Sequence, residues 1–227
     1  VALVVSGFEL IYGIEFLTVE IDCATNTPSV LQMQYPKFNV ADLISGTPDW
    51  IPVPDGDFWV FAYGSLMWNP GFQFDDSSPA TLHGYHRRLC LWSINYRGTE
   101  QQPGLVLGLD RGGSCPGYAY RVMQQHRDQT VEYLCDRELI SGAYIARLCP
   151  LKLADGRRVS ALSFVCRTDH PHFSPKLPIE DTVKVVSLAR GKRGCNREYV
   201  ENTVAHLDQM NIRNTELHKV VDRLGGL

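Results

Sequence analysis

Phe58 to Phe72 read F-W-V-F-A-Y-G-S-L-M-W-N-P-G-F. The first five residues form an aromatic and β-branched run of strand character, which breaks at once into Tyr63-Gly64-Ser65. A glycine directly after a buried strand turns the chain with no Cβ in the way. Successive backbone N–H groups then converge into a cradle for a carboxylate or a carbonyl oxygen. A plain tight turn carries the same letters, so the neighbouring sequence decides between the two.

Outward from this stretch, strands are predicted over residues 58–62, 80–93, 105–110 and 118–123. The clusters R-G-T-E-Q-Q-P-G and R-G-G-S-C-P-G separate them as turns. A helix is predicted over residues 127–140, then strands over 144–153 and 157–167 joined by an Asp155-Gly156 hairpin turn. Helices over 179–189, 197–210 and 215–224 close the chain, with Pro178 in a first turn and Asn196 and Asn214 as caps. Strands first, with helices inserted and appended, match no βαβ series. The expected fold class is α+β, a closed or nearly closed β barrel of mainly antiparallel strands with flanking helices.

Residues 1–56 read differently. Residues 8–22 suggest one or two strands with a bend at Gly13, and Pro28, Pro36, Pro48, Pro52 and Pro54 then argue for an extended connection with at most a short helix near residues 40–44. The expected organisation is an N-terminal strand and extended segment, residues 1–56, packing on a main domain of residues 57–227.

Composition excludes several function classes. The 227 residues are 44% hydrophobic and 21% charged with a net charge of −3, the make-up of a soluble globular protein. Lys and Arg are dispersed and the sequence pI is about 6.2, so no nucleic-acid partner is expected. The seven cysteines form no C-x-x-C pair, which points to reduced thiols in a reducing cytosol rather than a zinc ribbon or a redox motif. Glu9, Glu15 and Glu20 interrupt the apolar N-terminal run, which also lacks a basic leader, so neither a signal peptide nor a membrane partner is expected.

Val131, Leu134, Cys135 and Glu138 fall at helical spacing on one face. Glu138 therefore lies on an apolar stripe, where desolvation raises a carboxyl pKa toward the range of a working general base. A salt bridge from Glu138 to Arg87, Arg88 or Arg97 is the competing reading. Gly142 gives the helix a stop, which puts Glu138 in its last turn near a mouth.

Taken in order, F-A-Y-G-S-L-M-W-N-P-G-F, G-Y-H-R-R-L-C with Y-R-G-T, G-Y-A-Y-R, R-E-L-I-S-G-A-Y and G-C-N-R-E-Y resemble the ChaC-type, glutathione-specific γ-glutamylcyclotransferases from about Asp57 to the C-terminus. The resemblance implies a compact β barrel with helices around it and a substrate loop over Ala62, Tyr63, Gly64, Ser65, Leu66 and Met67. It implies Glu138 as the catalytic residue, with Tyr144 aligning a carboxylate of Glu138 or of the substrate. It also implies a small γ-glutamyl substrate, above all glutathione, no cofactor and no metal. Substitution at Met67 is expected to be tolerated, whereas Gly64 is expected to need positive φ. The same resemblance leaves open cyclotransfer on other γ-glutamyl amines, or a non-catalytic regulatory role in cation transport.

Other motifs carry less. Ser65 lacks the G-x-S-x-G setting of a nucleophile. Asp169-His170-Pro171-His172 reads as a surface loop rather than a metal site. Arg111-Gly112-Gly113-Ser114 lacks the lysine and helix of a phosphate loop and reads as a hairpin turn. Arg190, Lys192, Arg193 and Arg197 form a solvated helix junction, or supply one arginine to the glycine carboxylate of glutathione.

Overall fold

β1 (Phe58–Ala62) is buried along nearly its whole length, because it is flanked by a strand on each side inside a closed barrel. The computed structural model describes residues 51–139 and 141–226. The expected strands within 8–22 and the helix near 40–44 lie outside the described residues. Residues 53 and 54 are held by Arg127, whose Nη2 and Nε donate to Val53 O and Pro54 O at 3.3 and 3.2 Å.

The barrel is completed by β2 (Asp76–Ser93), β3 (Gly104–Val122), β4 (Tyr144–Leu153) and β5 (Arg158–Cys166), in the order β1-β3-β2-β4-β5. All pairings are antiparallel except β1 with β5, where Trp59 faces Ala161. Phe61, Leu82, Leu109, Ala119, Leu151 and Val165 fill the barrel interior. A short hairpin, β6 (Arg190–Gly191) and β7 (Gly194–Cys195), stands apart from this sheet.

One prediction fails in an informative way. The R-G-G-S-C-P-G cluster is no turn, and the two strands expected on either side of it are a single strand of 19 residues. Gly112 and Gly113, at φ 93° and 69°, lie opposite Gly84 at φ 87°. The ladder slips there between His83–Ser114 and Tyr85–Arg111. Glycines in left-handed geometry bend the ribbon as a bulge without ending it, so residues that also suit a turn make only a kink here. Beyond the bulge, the outer half of the β2–β3 ribbon runs past β1, and α2 (Ile179–Leu188), α3 (Asn196–Gln209) and α4 (Thr215–Leu224) pack on it.

Two further expectations are corrected. Asn196 does not cap α3. Its side chain is fully buried and pairs with both backbone groups of Leu105, at 2.6 and 2.7 Å. Asn214 does cap α4, accepting from Leu217 N at 3.1 Å. The Asp169 to His172 stretch is a surface loop at Asp169 and Pro171 but not at its two histidines. It lies along β2, with Trp92 N donating to His172 O and Ser174 N to Cys90 O, both at 2.8 Å, and both imidazoles are buried. Among the described residues no helix is long and apolar enough to cross a membrane.

Consecutive strand residues face opposite sides, and Arg87 and Arg88 use that alternation to bury two guanidiniums in different places. Arg88 binds Asp110 at 2.7 Å and Ser174 O at 2.9 Å. Next to it, β2 bulges at Cys90, whose Sγ lies 3.4 Å from Cys166 Sγ. Gly108 fits beneath the two thiols. A Cβ at Gly108 would come within 2.1 Å of Cys166 Sγ and 2.7 Å of Cys90 Sγ. Gly108→Ala should therefore cost about 1–3 kcal/mol of stability, the usual range for overpacking. Thermal unfolding checks this: Tm should drop, and adding Cys166→Ala should restore a large part of the loss.

Candidate active site

β1 ends at Ala62 and delivers the chain into the Tyr63–Met67 loop. The exit is fixed from below. Arg87, 4% exposed, donates through Nε to Tyr63 O and through Nη2 to Pro116 O at 2.7 Å and to Met67 Sδ at 3.8 Å. Tyr120 Oη donates to Met67 O. Leu66 and Met67 are both buried, so Met67 is a packing anchor rather than a freely replaceable position. Beyond them Trp68 stacks on His206 of α3 with ring centroids 4.3 Å apart.

Ser65–Met67 make one 3₁₀ turn, with Met67 N donating to Gly64 O at 2.9 Å. The leading N–H groups of such a turn have no partner inside it. Gly64 does not need positive φ. It sits at φ −134°, and an added Cβ would meet only Leu107 Cδ1 at 3.8 Å.

The predicted helix exists as α1 (Arg127–Leu134) and then widens into a π turn over Cys135–Leu139 that carries Glu138. Such widened turns recur where a helix must re-aim a side chain. Leu134, Cys135 and Leu139 are buried, while the Glu138 side chain is 17% exposed. Burial pushes the Glu138 carboxyl above the ordinary carboxylate range, and Arg137 pulls it part of the way back. The ion-pair partner is thus Arg137, with Nε 3.2 Å from Oε1, and not Arg87, Arg88 or Arg97. The same guanidinium donates from Nη2 to Ser65 Oγ at 2.9 Å, so a single side chain bridges the loop and the glutamate.

Three tyrosines complete the surroundings of Glu138, whose charge disfavours ionisation of Tyr63, Tyr144 and Tyr199 alike. Burial raises the pKa of Tyr63 and Tyr144 well above the phenol value and that of Tyr199 to about 12. Tyr144 Oη donates to Leu107 O at 2.6 Å, and Tyr199 Oη accepts from Leu107 N at 3.1 Å. The hydroxyls of Tyr144 and Tyr199 thus meet the two backbone groups of one residue of β3. Tyr144 keeps its lone pairs, and Tyr199 its proton.

The structure brings together Tyr63, Gly64, Ser65, Glu138 and Tyr144, and directs Ala62, Leu66 and Met67 into the core. Arg137, Arg87 and Tyr199 were missed as site residues. The sequence does hold a signal for Arg87, a charge set next to the apolar run Leu89 to Trp92. Of the basic cluster, Arg193 lies over the Tyr96 ring at 4.3 Å and Arg197 pairs with Glu201 at 2.8 Å. Among the described residues no group of three or more His, Cys, Asp or Glu side chains is placed to hold a metal ion.

This chain and its barrel have counterparts among known proteins. The glutathione-specific gamma-glutamylcyclotransferase of Escherichia coli (strain K12) is 35% identical over 167 residues, covering 74% of this chain and 72% of its own. The protein of the same description from Schizosaccharomyces pombe is 32% identical over 186 residues, covering 73% and 90%. The crystal structure of a gamma-glutamylcyclotransferase specific to glutathione from yeast superposes with a TM-score of 0.69 at 21% identity, covering 75% of this chain and 96% of that one. With the ChaC-like protein family matching residues 58–225, from the first residue of β1 to just beyond α4, the chain belongs to that family.

Proposed function

We propose that this protein is a γ-glutamylcyclotransferase that cleaves glutathione to 5-oxoproline and cysteinylglycine. The observation that carries the reading is Glu138: a carboxylate with raised proton affinity, tied through one guanidinium to Ser65 of the Tyr63–Met67 loop. The names of the relatives supply the substrate.

A γ-glutamyl amide holds its own nucleophile. Its α-nitrogen reaches the γ-carbonyl carbon and closes a five-membered lactam, so the protein has to fold the substrate and carry protons from the α-nitrogen to the leaving nitrogen. Glu138 takes a proton from the α-ammonium, and the freed amine attacks the γ-carbon. As the tetrahedral intermediate collapses, Glu138 returns that proton to the cysteinylglycine nitrogen and the C–N bond breaks. The ring nitrogen then gives its second proton to the same carboxylate, which passes it to the departing amine, so cysteinylglycine leaves as an ammonium and Glu138 is regenerated. No water is consumed. Holding the chain curled captures the advantage of an intramolecular reaction, worth up to about 7–11 kcal/mol in favourable cases.

In this reading the N–H groups of Gly64, Ser65 and Leu66 hold the γ-glutamyl head and meet the charge growing on its carbonyl oxygen. For Tyr144 to align a carboxylate it would have to give its hydroxyl hydrogen, which is already donated to Leu107 O. Its role is then to accept from the substrate ammonium beside Glu138. A pure binding protein gains nothing from keeping an ionisable carboxylate on a partly desolvated turn, and that consideration favours the enzyme over the regulator.

Mass spectrometry of the purified protein incubated with glutathione and no added metal tests the reading. It should find 5-oxoproline and cysteinylglycine in equal amounts. No product from glutathione or from any γ-glutamyl dipeptide would refute it.

Glu138→Gln should lose more than the roughly 100-fold typical of a missing general base while substrate still binds. The wild-type kcat/KM should fall as pH drops through the Glu138 pKa. Because that pKa is raised in the fold, the decline should begin above the ordinary carboxylate value of about 4.3. A variant keeping a tenth of its activity would remove Glu138 from the role.

Gly64→Ala is a clean probe of the loop, since the added methyl has room in the protein itself. Tm should hold while turnover collapses, because the methyl takes space meant for the substrate. Ser65→Ala should be milder, at about 1–3 kcal/mol in transition-state binding, since the backbone donors remain.

A further inference from the structure

Arg137 spans both halves of the site and is itself held by groups that take no part in the proposed chemistry. Nη1 donates to Asn69 O at 2.9 Å and to Tyr133 Oη at 2.6 Å, and the guanidinium carbon lies 5.8 Å from the Tyr133 ring centroid. Tyr133 is wedged against Gly71, where a Cβ would come within 2.0 Å of its hydroxyl. These contacts fix the plane of the guanidinium, and the two remaining edges then point at Glu138 Oε1 and Ser65 Oγ. A planar fork with five donors can satisfy four acceptors in fixed directions, whereas an ammonium on a flexible stem cannot.

We propose that Arg137 is a positioning residue for the reaction: it pins one oxygen of Glu138 and the hydroxyl of Ser65 to a common frame, leaving the second Glu138 oxygen to take the substrate proton. The proposal rests on the cyclotransferase reading above. Without Arg137, the carboxylate would turn freely about its last torsions, and the loop would lose its only side-chain tie to the π turn among the described residues.

Arg137 also acts through charge. The groups facing Glu138 are Arg137 on its own turn, Tyr63 after β1, Tyr144 on β4 and Tyr199 on α3, with the thiols of Cys90 and Cys166 behind the tyrosines. The three tyrosines are neutral across the working range of pH, since burial raises each of them. Arg137 alone opposes the effect of burial on the Glu138 carboxyl. Its removal should therefore send the Glu138 pKa higher still, and the acid limb of kcat/KM should move to higher pH.

The test uses the full chain as wild type, Arg137→Met and Arg137→Lys. Steady-state kinetics with glutathione are measured across pH, together with a ¹³C-carboxyl NMR titration of Glu138, assigned by its loss in Glu138→Gln. For Arg137→Met, kcat should fall about 10- to 100-fold, as expected of a misplaced catalytic group. KM should change far less, and both the acid limb and the Glu138 titration should shift to higher pH. Arg137→Lys should bring the titration back toward wild type without restoring kcat, because it returns the charge but not the fork.

An unshifted limb and titration in a folded Arg137→Met protein would overturn the proposal. If Arg137→Met does not fold, a wild-type kcat in Arg137→Lys would overturn it equally. Absence of wild-type turnover on every γ-glutamyl compound would refute the cyclotransferase reading itself, and the NMR titration would still decide whether Arg137 governs Glu138.

Discussion

The guanidinium of Arg87 is the constraint from which the site follows. It is buried beneath the exit of β1, and its hydrogen-bond partners are the carbonyls of Tyr63 and Pro116 and the sulfur of Met67, with no carboxylate partner among the described residues. A buried charge is tolerated only when its donors are satisfied, and here β1's exit and the inner half of β3 satisfy them. The demand runs both ways. To supply Tyr63 O to Arg87, the chain must leave β1 in one direction, which sends Leu66 and Met67 inward and Ser65 outward.

A second balance is struck at Glu138. Apolar surroundings favour the neutral acid, while the neighbouring guanidinium favours the carboxylate. Neither extreme suits a group that must both take and return a proton. The π turn helps by setting Arg137 and Glu138, adjacent in sequence, close enough to form an ion pair at 3.2 Å. Adjacent residues on a regular helix point away from each other, so the pair owes its contact to the widened turn and to the long reach of arginine.

Much of this was legible in the letters. β1 and β4 match their predicted bounds, and β5 and the C-terminal helices do so to within a residue or two, because apolar periodicity and local capping chemistry decide such elements. Glu138 stood out as a charge on an apolar stripe. What the sequence hid was relational. Gly112 and Gly113 look the same in a turn and in a bulge, and only the partner strand, with Gly84 opposite, separates the two. Asn196 looks like a helix cap and is instead a partner for both backbone groups of Leu105, 91 positions away. Arg137 was read past because its four contacts lie on two segments nearly 70 residues apart.

Those long-range side-chain partners have another effect. Where β3 runs past β1, its outer edge at Leu105 and Leu107 meets no further strand among the described residues. It is closed instead by the amide of Asn196 and the hydroxyls of Tyr199 and Tyr144. A neighbouring strand seals an edge with backbone that any sequence can supply, but a seal made of side chains depends on three particular residues. An open edge is a template for pairing between molecules. The tyrosines that border the candidate active site thus also cover a strand edge, and a change made there to alter chemistry also alters how one molecule meets the next.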